Sequence, residues 1–406
     1  MLQTREQLIH LLTEAAEVEH NILCSYLYAA FSIKIGTKEG LTEREAEVVA
    51  QWRKTVLGVA VEEMGHLAIV NNLLVAVGGS PHFDRPNLPL EPGYHPSCFV
   101  VRLTPFDEAT LDHFIYLERP EEAPLGDPEQ FDAVAELPRE PPSERLTPHA
   151  ADYETIAQLY QAIREMLGSL VQQRGGEAFV GSTEAGQLDP EIMDMPGLAV
   201  ITDLPSALRA LDTIVEQGEG APHAREDSHF ARYNGIKREW EELKKSNPDF
   251  VPAFPAAQDP VMRRPVDPGE RVWIIQPDAV LRLDLANAMY AQVVTLLVQS
   301  YDPASDKDTR RAFVDAAILL MQGVSVLGQA LARLPANPDY PGVNAGMTFA
   351  VPRNLGLRPP HSATSTILER LEELQDTYDE FLGTDPESPV AKAHRRIKRL
   401  TAPSDG

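Results

Sequence analysis

The sequence predicts an all-α protein. Long stretches repeat apolar residues every three or four positions, capping residues stand in front of them, and strand-like alternation is rare. Thr4 and Gln7 are spaced as a capping box, and Leu8, Leu11, Leu12, Ala15, Leu23, Tyr26, Leu27 and Ala30 follow at helical spacing. A first helix is therefore expected over about residues 5–35. A second box, Thr42 with Glu45, opens a helix of about 35 residues that should close at Gly78 and Gly79, with Pro81 just beyond. Residues 80–148 are rich in proline and hold only short periodic pieces, at 99–105 and 108–117, which reads as a long crossover connection. The third helix should cover about 150–172, with Tyr153, Ile156, Tyr160, Ile163, Leu167 and Leu170 on one face. Pro205 opens a helix through Leu208, Leu211 and Val215 that must break or bulge at the glycines of "EQGEGAP". The pattern resumes with Glu226, His229, Phe230, Tyr233, Ile236 and Trp240.

Prolines between 246 and 278 forbid regular helix and predict an ordered wrapping segment. Beyond it, 279–301 and 310–334 read as a buried helix pair, and a last amphipathic helix over about 364–383 precedes a frayed basic tail. The expected organisation is a bundle over 1–245, the wrapping segment over 246–278, and a C-terminal helical region over 279–406 packed on the bundle.

A formal net charge of -25 opposes binding to nucleic acid or to an anionic membrane, which need clustered Lys and Arg. Only Cys24 and Cys98 occur, which is no disulfide framework. No N-terminal leader pattern and no run of roughly 18 to 20 consecutive apolar residues is seen, so a soluble cytoplasmic protein is expected.

The stripe of the second helix is Val49, Trp52, Val56, Val59, Glu63, His66, Val70, Leu73 and Val77, with intervals of three and four throughout. Glu63 and His66 thus take two core positions, while Glu62 falls off the stripe and should be solvated. The same test on the first helix places Glu19 inward, between Ala15 and Leu23. Burying an unpaired carboxylate costs several kcal/mol, so a chain that buries several must supply a cation, a proton or a water cavity. A bundle core holds two metals with a Glu from each of two helices and a Glu-x-x-His from each of the other two. The chain offers Glu19, Glu63 with His66, and Glu226 with His229 in "REDSH". A lone Glu-x-x-His arises often by chance; the three pieces together carry the argument. For the remaining carboxylate, Gln158 stands where the third helix would need an acid. Glu216 and Glu219 in "VEQGEG" are the candidates, with periodicity favouring Glu219 and the choice left open. Cys24, Tyr26, Tyr28, Tyr153 and Tyr160 read first as core packing, and His223, three before Glu226, lies closest to the motif among the other histidines.

At "EVEHNILCSYLYAAFSI", "VEEMGHLAIVNNLLVAVGG", "IVEQGEGAP" and "DSHFARYNGI" the chain resembles the ferritin-like domain of the iminophenyl-pyruvate dimer synthase type. This domain is found in bacterial proteins related to the bis-indole pathway enzymes of violacein and rebeccamycin biosynthesis. The resemblance covers about residues 5–245. It implies a ferritin-like four-helix bundle with Glu19, Glu63, His66, Glu226 and His229 at the positions of a carboxylate-bridged dimetal centre, and it lends weight to Glu216 and Glu219.

Oxygen and imidazole ligands suit iron first, then manganese or zinc. The expected function is a non-haem di-iron oxidoreductase of specialised metabolism that uses dioxygen to oxidise a small amino-acid-derived substrate. The rivals are oxidative coupling of imino acids, a non-redox metal enzyme, and a non-catalytic metal-binding protein. A homodimer is the expected assembly.

Overall fold

The computed structural model describes residues 4–91, 93–96, 99–132, 139, 146–150, 152–181, 185–218, 227–266 and 271–401. Among these residues the chain is helical, with four isolated bridges and no strand. It divides into two compact units. The first comprises residues 1–80, 89–182 and 195–254, the second 81–88, 183–194 and 255–406.

In the first unit, α1 (Arg5–Ser32) starts at Thr4, whose side chain accepts from Gln7 N. Only half of the expected box forms, because the Gln7 amide instead donates to His149 O and accepts from His149 N. The helix stops three residues before the predicted end: Ile33 is extended and bridges to Ala253, and Phe254 N takes the Ser32 carbonyl. α2 (Glu43–Ala76) has the complete Thr42/Glu45 box, and Gly78, in the left-handed region at φ 92°, turns the chain away at its end.

The crossover is more regular than the sequence suggested. It contains α3 (Glu108–Leu117), capped by Asp107, which buries Leu111, Phe114 and Leu117. α4 (Ile156–Arg174) begins about six residues later than expected because Thr155 is the cap. α5 (Leu204–Gln217) carries Pro205 in its first turn and the Asp203/Ser206 box. α6 (His229–Ser246) is capped by Ser228, so His229 is its first residue. Four rods result: α1, α2, α4 and the interrupted pair α5 and α6. α1 packs on α2 and α4, α5 on α2 and α4, and α6 on α2 and α3.

The second unit holds α7 (Pro277–Gln299), α8 (Lys307–Leu331), α9 (Pro360–Leu382) and α10 (Pro389–Lys398). α7 and α8 pair along their length. The basic tail expected to fray instead forms α10, which buries Val390, Ala391, Ala393 and Ile397 against α8 and α9 and turns its Arg and Lys outward. By length and composition α2, α7 and α8 are apolar enough to cross a bilayer; their apolar windows are 78%, 61% and 50% buried inside the fold.

Candidate metal centre

Glu19 from α1, Glu63 and His66 from α2 and His229 from α6 are all fully buried in the first unit. Their side chains form two groups, Glu19 with Glu63 and His66, and Glu63 with Glu118 and His229. Within each group one ligand atom per residue lies within 4.8 Å of the others. Glu63 belongs to both. Its Oε2 is 2.9 Å from His66 Nδ1 and its Oε1 is 3.0 Å from His229 Nδ1, while Glu19 Oε2 lies 3.6 Å from His66 Nδ1. The imidazole rings are 5.7 Å apart. One carboxylate on the longest helix therefore links two half-sites.

Glu118, the residue after α3, was not anticipated from the sequence. It is buried, and its Oε1 is 3.3 Å from His229 Nδ1. It supplies a third buried carboxylate beside Glu19 and Glu63. Glu216 is exposed on α5, whose inward row is Ala207, Ala210, Leu211 and Ile214, so periodicity turns it to solvent. Glu219, Glu226 and His223 lie outside the described residues, as does Cys98. The structure brings together Glu19, Glu63, His66 and His229 of the predicted set and adds Glu118.

Glu62, expected in solvent, is half-buried. Its Oε2 accepts from His229 Nε2 at 2.8 Å, and Arg232 donates to both of its oxygens, Nη1 at 3.1 Å from Oε1. On the other imidazole, His66 Nε2 donates to Gln217 Oε1 at 3.1 Å. Two tyrosines with buried rings also serve the site: Tyr160 donates to Glu19 Oε1, and Tyr26 donates to Glu118 Oε1 at 2.5 Å. Gln158, by contrast, donates to Glu121 and does not enter the cluster.

The electrostatics follow from this crowding. Burial, with Glu63 close by, pushes the Glu19 carboxyl up to about 8. Burial alone would raise Glu63 as well, but His66 and His229 outweigh it and hold that carboxyl well below its usual range. Both imidazoles move the opposite way to what burial favours: Glu63 and Glu19 lift His66 to about 10, and Glu118 and Glu63 raise His229 strongly. Burial and the adjoining Glu118 raise the Tyr26 and Tyr233 phenols well above their ordinary value.

The residues fit a metal pair. Glu19 Oε2 and Glu118 Oε2 are buried without a hydrogen bond, a costly state for carboxylate oxygens that a cation relieves, and Glu63 Oε1 faces only the His229 ring. Space is kept there too: a Cβ at Gly218 would stand 3.1 Å from His229 Nδ1 and 3.3 Å from Glu118 Oε2. Three carboxylates and two imidazoles make a donor set suited to iron or manganese.

Comparison with known proteins agrees with this architecture. The ferritin-like family matches residues 12–238, more than half of the chain, and the chain belongs to that family. Over 391 residues, 86% of the chain, it is 30% identical to the dichlorochromopyrrolate synthase of Lentzea aerocolonigenes. Over 378 residues, 84% of the chain, it is 28% identical to the 2-imino-3-(indol-3-yl)propanoate dimerase of Chromobacterium violaceum. The matches span 36% and 34% of those proteins, so the chain covers only about a third of the length of these relatives. A crystal structure of a ferritin-like protein from Caulobacter vibrioides superposes with a TM-score of 0.53 at 19% identity, over 83% of this chain and 98% of that one, which supports the fold.

Proposed function

We propose that the chain is a carboxylate-bridged di-metal oxidase, with iron as the metal, that uses dioxygen to oxidise a small amino-acid-derived molecule. The observation that carries this reading is the position of Glu63, one buried carboxylate serving two Glu/His groups at once. Glu19, Glu63 and His66 would hold one ion, and Glu63, Glu118 and His229 the other. A reduced iron pair held there would supply the electrons for dioxygen to oxidise a small substrate.

The chain's own groups set the conditions for that chemistry. His66 and His229 face the carboxylates through Nδ1, the nitrogen that would hold a metal after giving up its proton, while their Nε2 groups donate to Gln217 and Glu62. Tyr160 and Tyr26 fix the Glu19 and Glu118 carboxylates by donating to one oxygen of each, leaving the second oxygen free to bind. Phe114 and Tyr233 pack their rings on Tyr26 and help keep that side of the cluster dry. The name of the Chromobacterium violaceum relative, a 2-imino-3-(indol-3-yl)propanoate dimerase, favours one reaction within this class, the joining of two imino acids derived from an aromatic amino acid.

The test begins with metal analysis of protein purified anaerobically from iron-replete cells, wild type beside His66→Ala. Wild type should retain a transition metal and the variant should lose much of it. Oxygen uptake is then followed with an imino acid generated in situ from tryptophan or phenylalanine, and the product is weighed by mass spectrometry. A product of doubled mass supports coupling. Turnover that proceeds equally with zinc and without oxygen would replace the redox reading by a non-redox one, and iron uptake with every substrate intact would leave a metal-binding protein without turnover.

A further inference from the structure

The two halves of the cluster are built from the same kinds of residue. Each half has its own carboxylate, Glu19 or Glu118, each of these accepts one phenol, from Tyr160 or Tyr26, and both halves share Glu63. The imidazoles differ in what lies behind them. His66 Nε2 meets a neutral amide, Gln217 Oε1, at 3.1 Å. His229 Nε2 meets an anionic carboxylate, Glu62 Oε2, at 2.8 Å, and Arg232 clamps that carboxylate through both of its oxygens. The clamp holds Glu62 in place while its charge faces the ring.

From this asymmetry we propose that Glu62 makes the two metal positions unequal, so that the Glu63–Glu118–His229 position fills first and the Glu19–Glu63–His66 position second. A carboxylate accepting from one nitrogen of an imidazole increases the electron donation of the other nitrogen and fixes the orientation of the ring; an amide does so much less. Outer-sphere partners of this kind change metal affinity by roughly 10- to 100-fold, and the two binding steps should be separated by a factor in that range. Glu62 is a positioning residue, acting on the metal through His229. The inference rests on the di-metal reading above.

The test is an anaerobic titration of the metal-free protein with Co2+, followed by visible absorption and by the imidazole NMR signals of 15N-histidine-labelled protein. Wild type should take up two ions in resolved steps, the first equivalent shifting His229 and the second His66. Glu62→Gln should merge the steps by weakening the first, and Glu62→Asp, which keeps the charge, should restore part of the separation. Gln217→Glu gives an independent approach from the other side: it should strengthen the second step until the two converge, whether or not the Glu62 variants fold. His66→Ala should keep the tight step and His229→Ala should lose it. Two equal steps in wild type, or a tight step that follows His66, would overturn the order of filling while leaving the di-metal reading intact. A separation that persists in both Glu62→Gln and Gln217→Glu would overturn the role of Glu62. Absence of any cobalt uptake by the folded wild type would remove both the proposal and the reading beneath it.

Discussion

α2 and α8 are both long helices with a continuous apolar face, and both bury ionisable residues, but at different places along the rod. In α8 the buried ionisable residue is Arg310, in the first turn, where it donates to the carbonyls of Ser300 and Gln187. Its inner face then runs through Phe313, Ala317, Leu320, Val324, Leu327 and Leu331 without interruption. In α2, Glu45 likewise sits in the first turn and closes the capping box, whereas Glu63 and His66 lie well inside the helix. A charge buried at a helix end has backbone groups to satisfy it. A charge buried in the middle of a rod has none, since those groups already bond to one another. In these two helices, position along the rod separates the charges that backbone groups satisfy from the pair that must be satisfied by other side chains.

Replacing Glu63 by Gln should have the largest effect of any change on this contrast. It touches both half-sites, so affinity for both ions should fall well beyond the roughly 10- to 100-fold of an outer-sphere change, with helix content retained. Equilibrium dialysis with circular dichroism measures both. Retention of two tightly held ions by this variant would contradict the bridging role.

The next effect is one of pH. His66 is raised from 6.5 to about 10 by Glu63 and Glu19 against the effect of burial, and Glu19 from 4.5 to about 8 by burial beside Glu63. Both bind their protons more tightly folded than unfolded, so their contribution to the metal-free protein is complete at low pH. It is lost as pH rises through about 8 for Glu19 and about 10 for His66. Glu63, with a depressed pKa, has the opposite sign, but its window lies below 4.5. Melting of the metal-free protein should thus fall between pH 6 and pH 9, and the gain in Tm on adding metal should grow over the same range because ligation competes with protons. A metal-induced gain that shrinks toward pH 9 would contradict the assignment of these groups as ligands.

Arg310→Met is the control in α8. Leaving the Ser300 and Gln187 carbonyls without their donor should cost about 2–3 kcal/mol in denaturant unfolding, with metal content unchanged. Tyr160→Phe should be the mildest: loss of one donor to Glu19 should weaken binding by roughly tenfold, or about 1.4 kcal/mol, in the same titration that reads Glu63→Gln.

The sequence carried much of this. Capping signals placed the starts of α1, α2 and α5, and an unbroken stripe marked Glu19, Glu63 and His66, because helical period alone decides which residues face inward. Glu118 was legible by the same rule, since Leu111, Phe114 and Glu118 are spaced three and four apart, but it hid in a proline-rich crossover where a ten-residue helix attracts no stripe test. α10 was missed for a related reason: Ser388, Pro389, Val390, Ala393 and Ile397 form a cap and a row, masked by four basic residues in the same short stretch. The roles of Tyr160, Tyr26 and Glu62 were not legible. Periodicity tells which side chains point inward and is silent on which of them meet across rods, so a phenol that packs cannot be told from one that packs and donates.

The dependence of both half-sites on Glu63 also bears on how such a chain drifts over time. On the di-metal reading, a single codon change there would remove a ligand from both positions while the capped rods around it keep their packing, so a lineage could lose the centre in one step and keep the fold. Relatives that keep every apolar row but carry another residue at this position should be sorted as scaffolds before any substrate is sought for them.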